Sequence, residues 1–205
     1  MFIGTFDHKG ILTDKIVTAD GYQFVIEVDD KLIKKINKNI SINGCSLNIA
    51  RISGNKIVVD VTEEIINRTN FDTLKQNMSV NCEVPLSSSE RQVKNFVTGN
   101  IDTIGRIEGI IQSTDSYEMI ISYPEIFIGY LILNRLVTID GVTMSITEIK
   151  DSWFTVNIDS LIWEKTIFID KQPGDTVNLE FDNFSKFVVG LLETNDWEDD
   201  SISED

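Results

Sequence analysis

The sequence predicts an all-β protein of two tandem, similar, six-stranded closed barrels, followed by a C-terminal helix and an acidic tail. Three observations carry that prediction: an internal repeat, period-two alternation of apolar residues inside each copy, and turn residues about every ten positions with few helical stretches. The repeat comes first because it sets the architecture. "INGCSLNIARISGNKIVVDV" at 42–61 aligns with "IDGVTMSITEIKDSWFTVNI" at 139–158, and Gly44 to Gly141 is a step of 97 residues. The same step joins Thr69 to Thr166, Phe71 to Phe168, Val80 to Val177, Asn81 to Asn178 and Glu83 to Glu180.

Within the first copy, Leu47 and Ile49 precede a Gly54-Asn55 turn, and Ile57, Val59 and Val61 follow it. In the second copy Met144, Ile146, Phe154, Val156 and Ile158 keep the same parity around Asp151-Ser152. Such alternation marks hairpins with one buried face, and closing each set of strands into a barrel removes the exposed edges that would otherwise pair with other chains. The segments 29–40 and 123–134 each sit just before the "NG" or "DG" hairpin, so a short helix or turn crosses each barrel there. From 182 onward, Asn183 or Ser185 is placed to cap a helix, and Phe184, Phe187, Val188, Leu191 and Leu192 fall at helical spacing. We divide the chain into a first barrel at 1–92, a second at 93–185, and a helix with tail at 186–205.

Composition narrows the function. A chain of 205 residues that is 41% apolar has enough material for two small cores. Its net charge of −15 disfavours nucleic acid and anionic membranes as partners, leaving small ligands and basic protein surfaces. Seven acids and no base lie in residues 193–205, a solvated tail or, with Trp197, a handle for a basic partner. The longest apolar run, "IFIGYLIL" at 126–133, is far short of the roughly 20 residues of a membrane span. No secretory leader is visible at "MFIGTFDHKG", so the expectation is a soluble cytoplasmic protein. The two cysteines, Cys45 and Cys82, read as small buried apolar residues rather than a disulfide framework, and His8 is the only histidine, which makes a protein-built metal site improbable.

"MFIGTF" at the start, "NGCSLNI" at 43–49, "TNFDTLKQNMSVNCE" at 69–83, "DGVTMSITEI" at 140–149 and "KQPGDTVNLEFD" at 171–182 resemble the riboflavin synthase family over almost the whole chain. The resemblance implies two barrels, each with a shallow site for one 6,7-dimethyl-8-ribityllumazine or flavin-like ring. The enzyme of this family is a trimer that stacks two lumazines between barrels of neighbouring subunits and moves a four-carbon unit from one to the other, with no metal or organic cofactor. This chain departs from the catalytic members where it matters chemically. They usually carry His where this sequence has Asn95 and again where it has Asn100, and often a second cysteine where it has Ser46. The chemistry requires a proton to leave a ring methyl and a nucleophile to add to the ring; amides do not titrate near neutral pH, and an unactivated hydroxyl is a far weaker nucleophile than a thiolate. The pattern is instead similar to the non-catalytic lumazine proteins and yellow fluorescent proteins of luminous bacteria, which hold a lumazine, riboflavin or flavin mononucleotide (FMN) in the first barrel.

By that resemblance the first-barrel ring site comprises Ser46, Asn48, Thr62, Glu64, Ile65, Asn100 and Ile101, with no catalytic residue. A flat heteroaromatic ring needs apolar walls and a few fixed donors and acceptors, which this set supplies. Asn100 has a competing reading as a turn residue with positive φ beside Gly99, and Glu64 one as a solvated acid beside Glu63. The second barrel has Thr143, Ser145, Leu161 and Ile162 at corresponding places, with Phe2 and Gly4 as the closing segment and Asp140 at the turn before Gly141. Thr143 replaces the usual Ser and Leu161-Ile162 the usual Glu-Thr pair, so this second site is expected to be weak or empty. The resulting expectation is a fluorescent antenna protein carrying one non-covalent lumazine, riboflavin or FMN, with a light-emitting luciferase as a candidate partner; an active riboflavin synthase is the alternative. The "FSKFVVGLL" stretch resembles the helix through which the enzyme trimerises, so monomer and homo-oligomer both stay open.

Overall fold

The structure, a computed structural model, describes residues 1–4, 8–86 and 96–195. The first barrel contains β1 (His8–Thr18), β2 (Gly21–Glu27), β3 (Asn39–Ile42), β4 (Cys45–Ser53), β5 (Lys56–Thr62) and β6 (Ser79–Glu83). The second contains β7 (Thr103–Gln112), β8 (Ser116–Ser122), β9 (Leu136–Ile139), β10 (Val142–Ile149), β11 (Trp153–Asp159) and β12 (Thr176–Phe181). Strand order round the first is β1-β2-β5-β4-β3-β6, and round the second, taken from β7, β7-β8-β11-β10-β9-β12. All pairings are antiparallel, and β1–β6 and β7–β12 close the rings. The two barrels therefore share one topology.

Each alternating stripe named above turns inward. Leu47, Ile57, Val59 and Val61 pack with Phe24, Phe71 and Leu12 in the first core; Met144, Ile146, Phe154, Val156 and Ile158 pack with Phe168 and Phe181 in the second. The two-residue hairpins at Asn43-Gly44 and Asp140-Gly141 have positive φ at both central positions, 44° and 83° in one, 44° and 86° in the other. That is the turn whose twist suits antiparallel strands, and Asn-Gly and Asp-Gly are the pairs that tolerate it. Bulges recur at matched sites, between Leu12 and Asp14 and between Ile107 and Gly109. The step between those bulges is 95 residues, not 97, because the segment before β9 is two residues longer than that before β3. In the first barrel that segment holds α1 (Asp30–Ile33), and in the second a 3₁₀ turn, Glu125–Tyr130.

The barrels meet along a seam with near two-fold symmetry. Gly44 and Gly141 lie so close that a Cβ on either would stand 2.8 Å from the other's backbone nitrogen. Asn81 Nδ2 donates to Asp140 O at 2.9 Å, and Asn178 Nδ2 donates to Asn43 O at 3.0 Å. Asn81 Oδ1 accepts from Ile167 N and Asn178 Oδ1 from Asn70 N. The repeat-matched asparagines thus hold one barrel to the other.

Three further α-helices follow, α2 (Glu63–Arg68) after β5, α3 (Ser160–Lys165) after β11 and α4 (Asn183–Asn195) at the end, with 3₁₀ turns at Asn70–Thr73 and Ile167–Asp170 after the first two. The last begins at Asn183, ahead of the boundary drawn at 186, and Lys186 anchors it by donating to Asp102 at 2.7 Å. The boundary drawn between 92 and 93 lies outside the described residues, as does Trp197. Among the described residues no helix is long and apolar enough to cross a membrane.

Candidate functional site

Two segments cross the seam. Phe2 and Val97 pair as an isolated bridge, Phe2 N to Val97 O at 2.8 Å and Val97 N to Phe2 O at 3.0 Å. From there the loop that precedes the second barrel reaches over the first: Gly99 O accepts from Ser46 N at 2.9 Å. The chain's first residues reach over the second in the same way, Gly4 O accepting from Thr143 N at 2.9 Å. Two buried carboxylates hold these segments. Glu180 on β12 accepts from Thr98 N (2.7 Å), the Thr98 hydroxyl (2.7 Å) and Gly99 N (3.0 Å). Glu83 on β6 accepts from Ile3 N at 2.8 Å and from Gly4 N.

Beneath the first crossing lies a small cleft of about 180 Å³ lined by Cys45, Ser46, Thr62, Glu64, Ile65, Arg68, Thr69, Gly99, Asn100 and Ile101. The start of β4 brings Ser46 to it. Thr62 comes as the residue that caps α2, its hydroxyl accepting from Ile65 N, and α2 carries Glu64, Ile65 and Arg68 to one wall. The loop supplies Asn100 and Ile101. Six of the seven residues named from the sequence for the first barrel thus share one cleft. Asn48 does not line it; it is exposed on β4 opposite Asn39. Gly99 takes the positive φ of the loop, +83°, and Asn100 does not. The amide is therefore not there to make the turn.

Sequence reasoning missed Cys45, Arg68, Thr69 and Gly99 as wall residues. Arg68 donates to Ile101 O at 3.2 Å and lies 3.6 Å from Glu64, so one guanidinium ties α2 to the loop across the cleft mouth. The i,i+4 spacing of Glu64 and Arg68 was the available signal. The Cys45 thiol is pushed up to about 12, chiefly by burial, so it stays protonated and is no nucleophile at neutral pH. His8, the sole imidazole, is on β1 with Nδ1 2.7 Å from Asp29, and is not part of the cleft. Asn95 lies outside the described residues.

The second-barrel residues do not assemble in the same manner. Thr143 pairs its hydroxyl with that of Thr138 at 3.0 Å, and Gly4 packs so tightly that a Cβ there would overlap the Thr143 oxygen. Phe2 is fully buried at the crossing, beneath Gly99. Ser145 and Leu161 are exposed, and Ile162 packs on the second core. The cleft that Thr143 does line, about 360 Å³, faces Phe96, Arg135, Glu180 and Asp182 instead. A larger cleft of about 810 Å³ runs along the seam past Leu74, Met78, Arg106 and Lys171, and contains none of the predicted site residues. Volume alone would single it out, and its walls are polar too, but the smaller cleft is the one that gathers the residues to which the family resemblance points.

A double barrel with matched topology and a polar cleft without imidazole at the mouth of its first half is the architecture of a class of ring-binding proteins. The chain belongs to the lumazine-binding family typified by riboflavin synthase: a sequence model described as "Lumazine binding domain" matches residues 4–85 and again 98–182. The riboflavin synthase of Schizosaccharomyces pombe is 28% identical over 96% of this chain and 97% of its own length. That of Photobacterium phosphoreum is 26% identical over 94% of this chain and 89% of its own. Crystal structures of LumP complexed with 6,7-dimethyl-8-(1'-D-ribityl) lumazine and with riboflavin superpose with TM-scores of 0.81 and 0.83, at 28% and 27% identity, covering 89% of this chain and all of theirs. A third, complexed with flavin mononucleotide, gives 0.82.

Proposed function

We propose that this chain is a non-catalytic lumazine- or flavin-binding protein that holds one 6,7-dimethyl-8-ribityllumazine, riboflavin or FMN at the mouth of its first barrel. The observation that carries the reading is chemical: the cleft offers the hydroxyls of Ser46, Thr62 and Thr69, the Asn100 amide, the exposed Glu64 carboxylate paired with Arg68, and a thiol locked in its protonated form, and no imidazole. Such a set holds a ring by hydrogen bonds but lacks the imidazole and the thiolate that would serve lumazine dismutation as base and nucleophile. The likeness to LumP in three ring-bound forms supports the same reading. A desolvated, rigidly held ring emits efficiently, so we assign the protein an optical role, as an antenna in bioluminescence. Its −15 charge would steer it to a basic face on a luciferase, in the cytoplasm.

The test is spectroscopic. Purified protein titrated with each of the three rings is expected to bind at least one at micromolar levels with raised emission anisotropy; failure with all three rejects the reading. Incubation with dimethylribityllumazine is expected to yield no riboflavin above the uncatalysed background.

One feature favours the second reading, an active riboflavin synthase. Helix α4 exposes Phe184, Phe187 and Leu192, at 59%, 64% and 63%, as a helix that packs against other subunits would. The enzyme of S. pombe also matches nearly end to end. Sedimentation distinguishes a trimer from a monomer, and steady riboflavin production would decide for the enzyme.

A further inference from the structure

Glu180 belongs to the second barrel, yet its carboxylate sets the loop that closes the first-barrel cleft. Oε1 accepts from both the amide and the hydroxyl of Thr98, and Oε2 from Gly99 N. Because the Thr98 hydroxyl directs its proton to Glu180, its oxygen is free to accept from Asn100 N at 3.2 Å. Gly99, fixed from behind, presents its carbonyl to Ser46 N at 2.9 Å. One carboxylate, 3% exposed, therefore orders three consecutive residues, the last of which lines the cleft.

We propose that Glu180 is the positioning residue of the first-barrel ring site, fixing through Thr98 and Gly99 where Asn100 meets the ring. The proposal rests on the reading of that cleft as a ring site. The chemistry of the side chain fits the task. An ionised carboxylate is acceptor-only on both oxygens and matches three donors; a glutamine in its place would turn an N–H toward one of them. Burial raises the pKa of Glu180, and the bonds from Thr98 and Gly99, with Lys186 nearby, oppose that rise. A buried carboxylate is costly unless its hydrogen bonds are made, and here they are made by the loop.

The repeat supplies an internal control. Glu83, at the matched position, is 6% exposed and holds the Ile3-Gly4 segment over the second barrel. A seam staple and a site-positioning residue thus make different predictions. Riboflavin titrations followed by fluorescence anisotropy, with the full chain, are expected to show Glu180→Gln weakened roughly tenfold, about the loss of one charge-assisted hydrogen bond. The bound riboflavin absorption band is expected to shift as well, since the Asn100 contact to the ring moves. Glu83→Gln is expected to bind within about twofold of wild type, because its segment closes the other barrel. Equal loss in both variants, or none in Glu180→Gln, overturns the proposal. If Glu180→Gln does not fold, Thr98→Val removes the relay alone and is expected to weaken binding several-fold; unchanged affinity there overturns it. Wild-type protein that binds no ring overturns the ring-site reading first, and this proposal with it.

Discussion

Replacing Gly99 by alanine tests whether the loop truly rests on the first barrel. A Cβ at this position would stand 2.7 Å from Ser46 Cβ and 3.0 Å from both Ser46 N and the Phe2 ring, and the residue sits at φ +83°. Carbon atoms rest roughly 3.5–4.0 Å apart, so the loop or β4 must yield by about 1 Å. The left-handed backbone costs an L-residue about 1–2 kcal/mol, and overpacking adds about 1–3 kcal/mol. Gly54 provides the reference: it too has positive φ, +61°, but nothing lies within 4 Å of its added Cβ. Subtracting the loss in Gly54→Ala from that in Gly99→Ala removes the larger part of the backbone share and leaves chiefly the close approach, about 1–3 kcal/mol. Urea unfolding of the ligand-free proteins measures the difference. Relief by lifting the loop breaks the Ser46 N to Gly99 O bond, so ring affinity is expected to fall in Gly99→Ala alone. Two variants with equal losses, and ring binding unchanged in both, would refute the reasoning.

Cys45→Ser is expected to bind the ring like wild type, and the native Cys45 thiol to resist alkylation at pH 8, where a group at about 12 is ionised in about one part in ten thousand; labelling at the rate of a free thiol contradicts this. Burial raises the pKa of Asp140, only partly opposed by Lys171 at 3.4 Å, so the folded state holds its proton more tightly than the unfolded one. Stability should then fall as pH rises from the ordinary value of 3.8 through the raised one, and Asp140→Asn, which restores the Asn43 pattern, should flatten that slope in unfolding free energies measured against pH. Arg68→Ala removes an exposed ion pair and the bond to Ile101 O, so stability should change by less than about 1 kcal/mol while ring affinity drops several-fold; an unaffected dissociation constant would remove Arg68 from the site.

Much of the fold was legible because turn chemistry and alternation are local. Asn43-Gly44 and Asp140-Gly141 announce two identical hairpins, and the inward parity of Leu47 through Val61 follows from them. The two-residue change of step ahead of β9 was not legible, since early strands such as Leu12 and Ile107 match in shape and burial rather than in residue identity. At the site, Asn48 shares the strand face of Ser46, but two residues along a strand carry it roughly 6.6 Å further, past the cleft. Arg68 and Thr69 escaped because their place depends on how α2 packs against a loop from the other half of the chain. The i,i+4 spacing of Glu64 and Arg68 pairs them on one helix face, but no local pattern states which loop that face meets.

The repeat itself also says which residues the two barrels must keep in common. Asn81 and Asn178, Glu83 and Glu180, and the paired hairpin glycines are identical in type, and every one of them acts across the seam. The barrel mouths differ instead: Ser46 against Thr143, Glu64-Ile65 against Leu161-Ile162, and Arg68 against Lys165. At the second mouth Thr143 turns its hydroxyl to Thr138, and that oxygen fills the space beneath Gly4. On the proposed reading the second barrel has given up a ring of its own, yet cannot be dispensed with. It carries Glu180, and through Glu180 it holds the Thr98-Gly99 segment over the cleft of its neighbour.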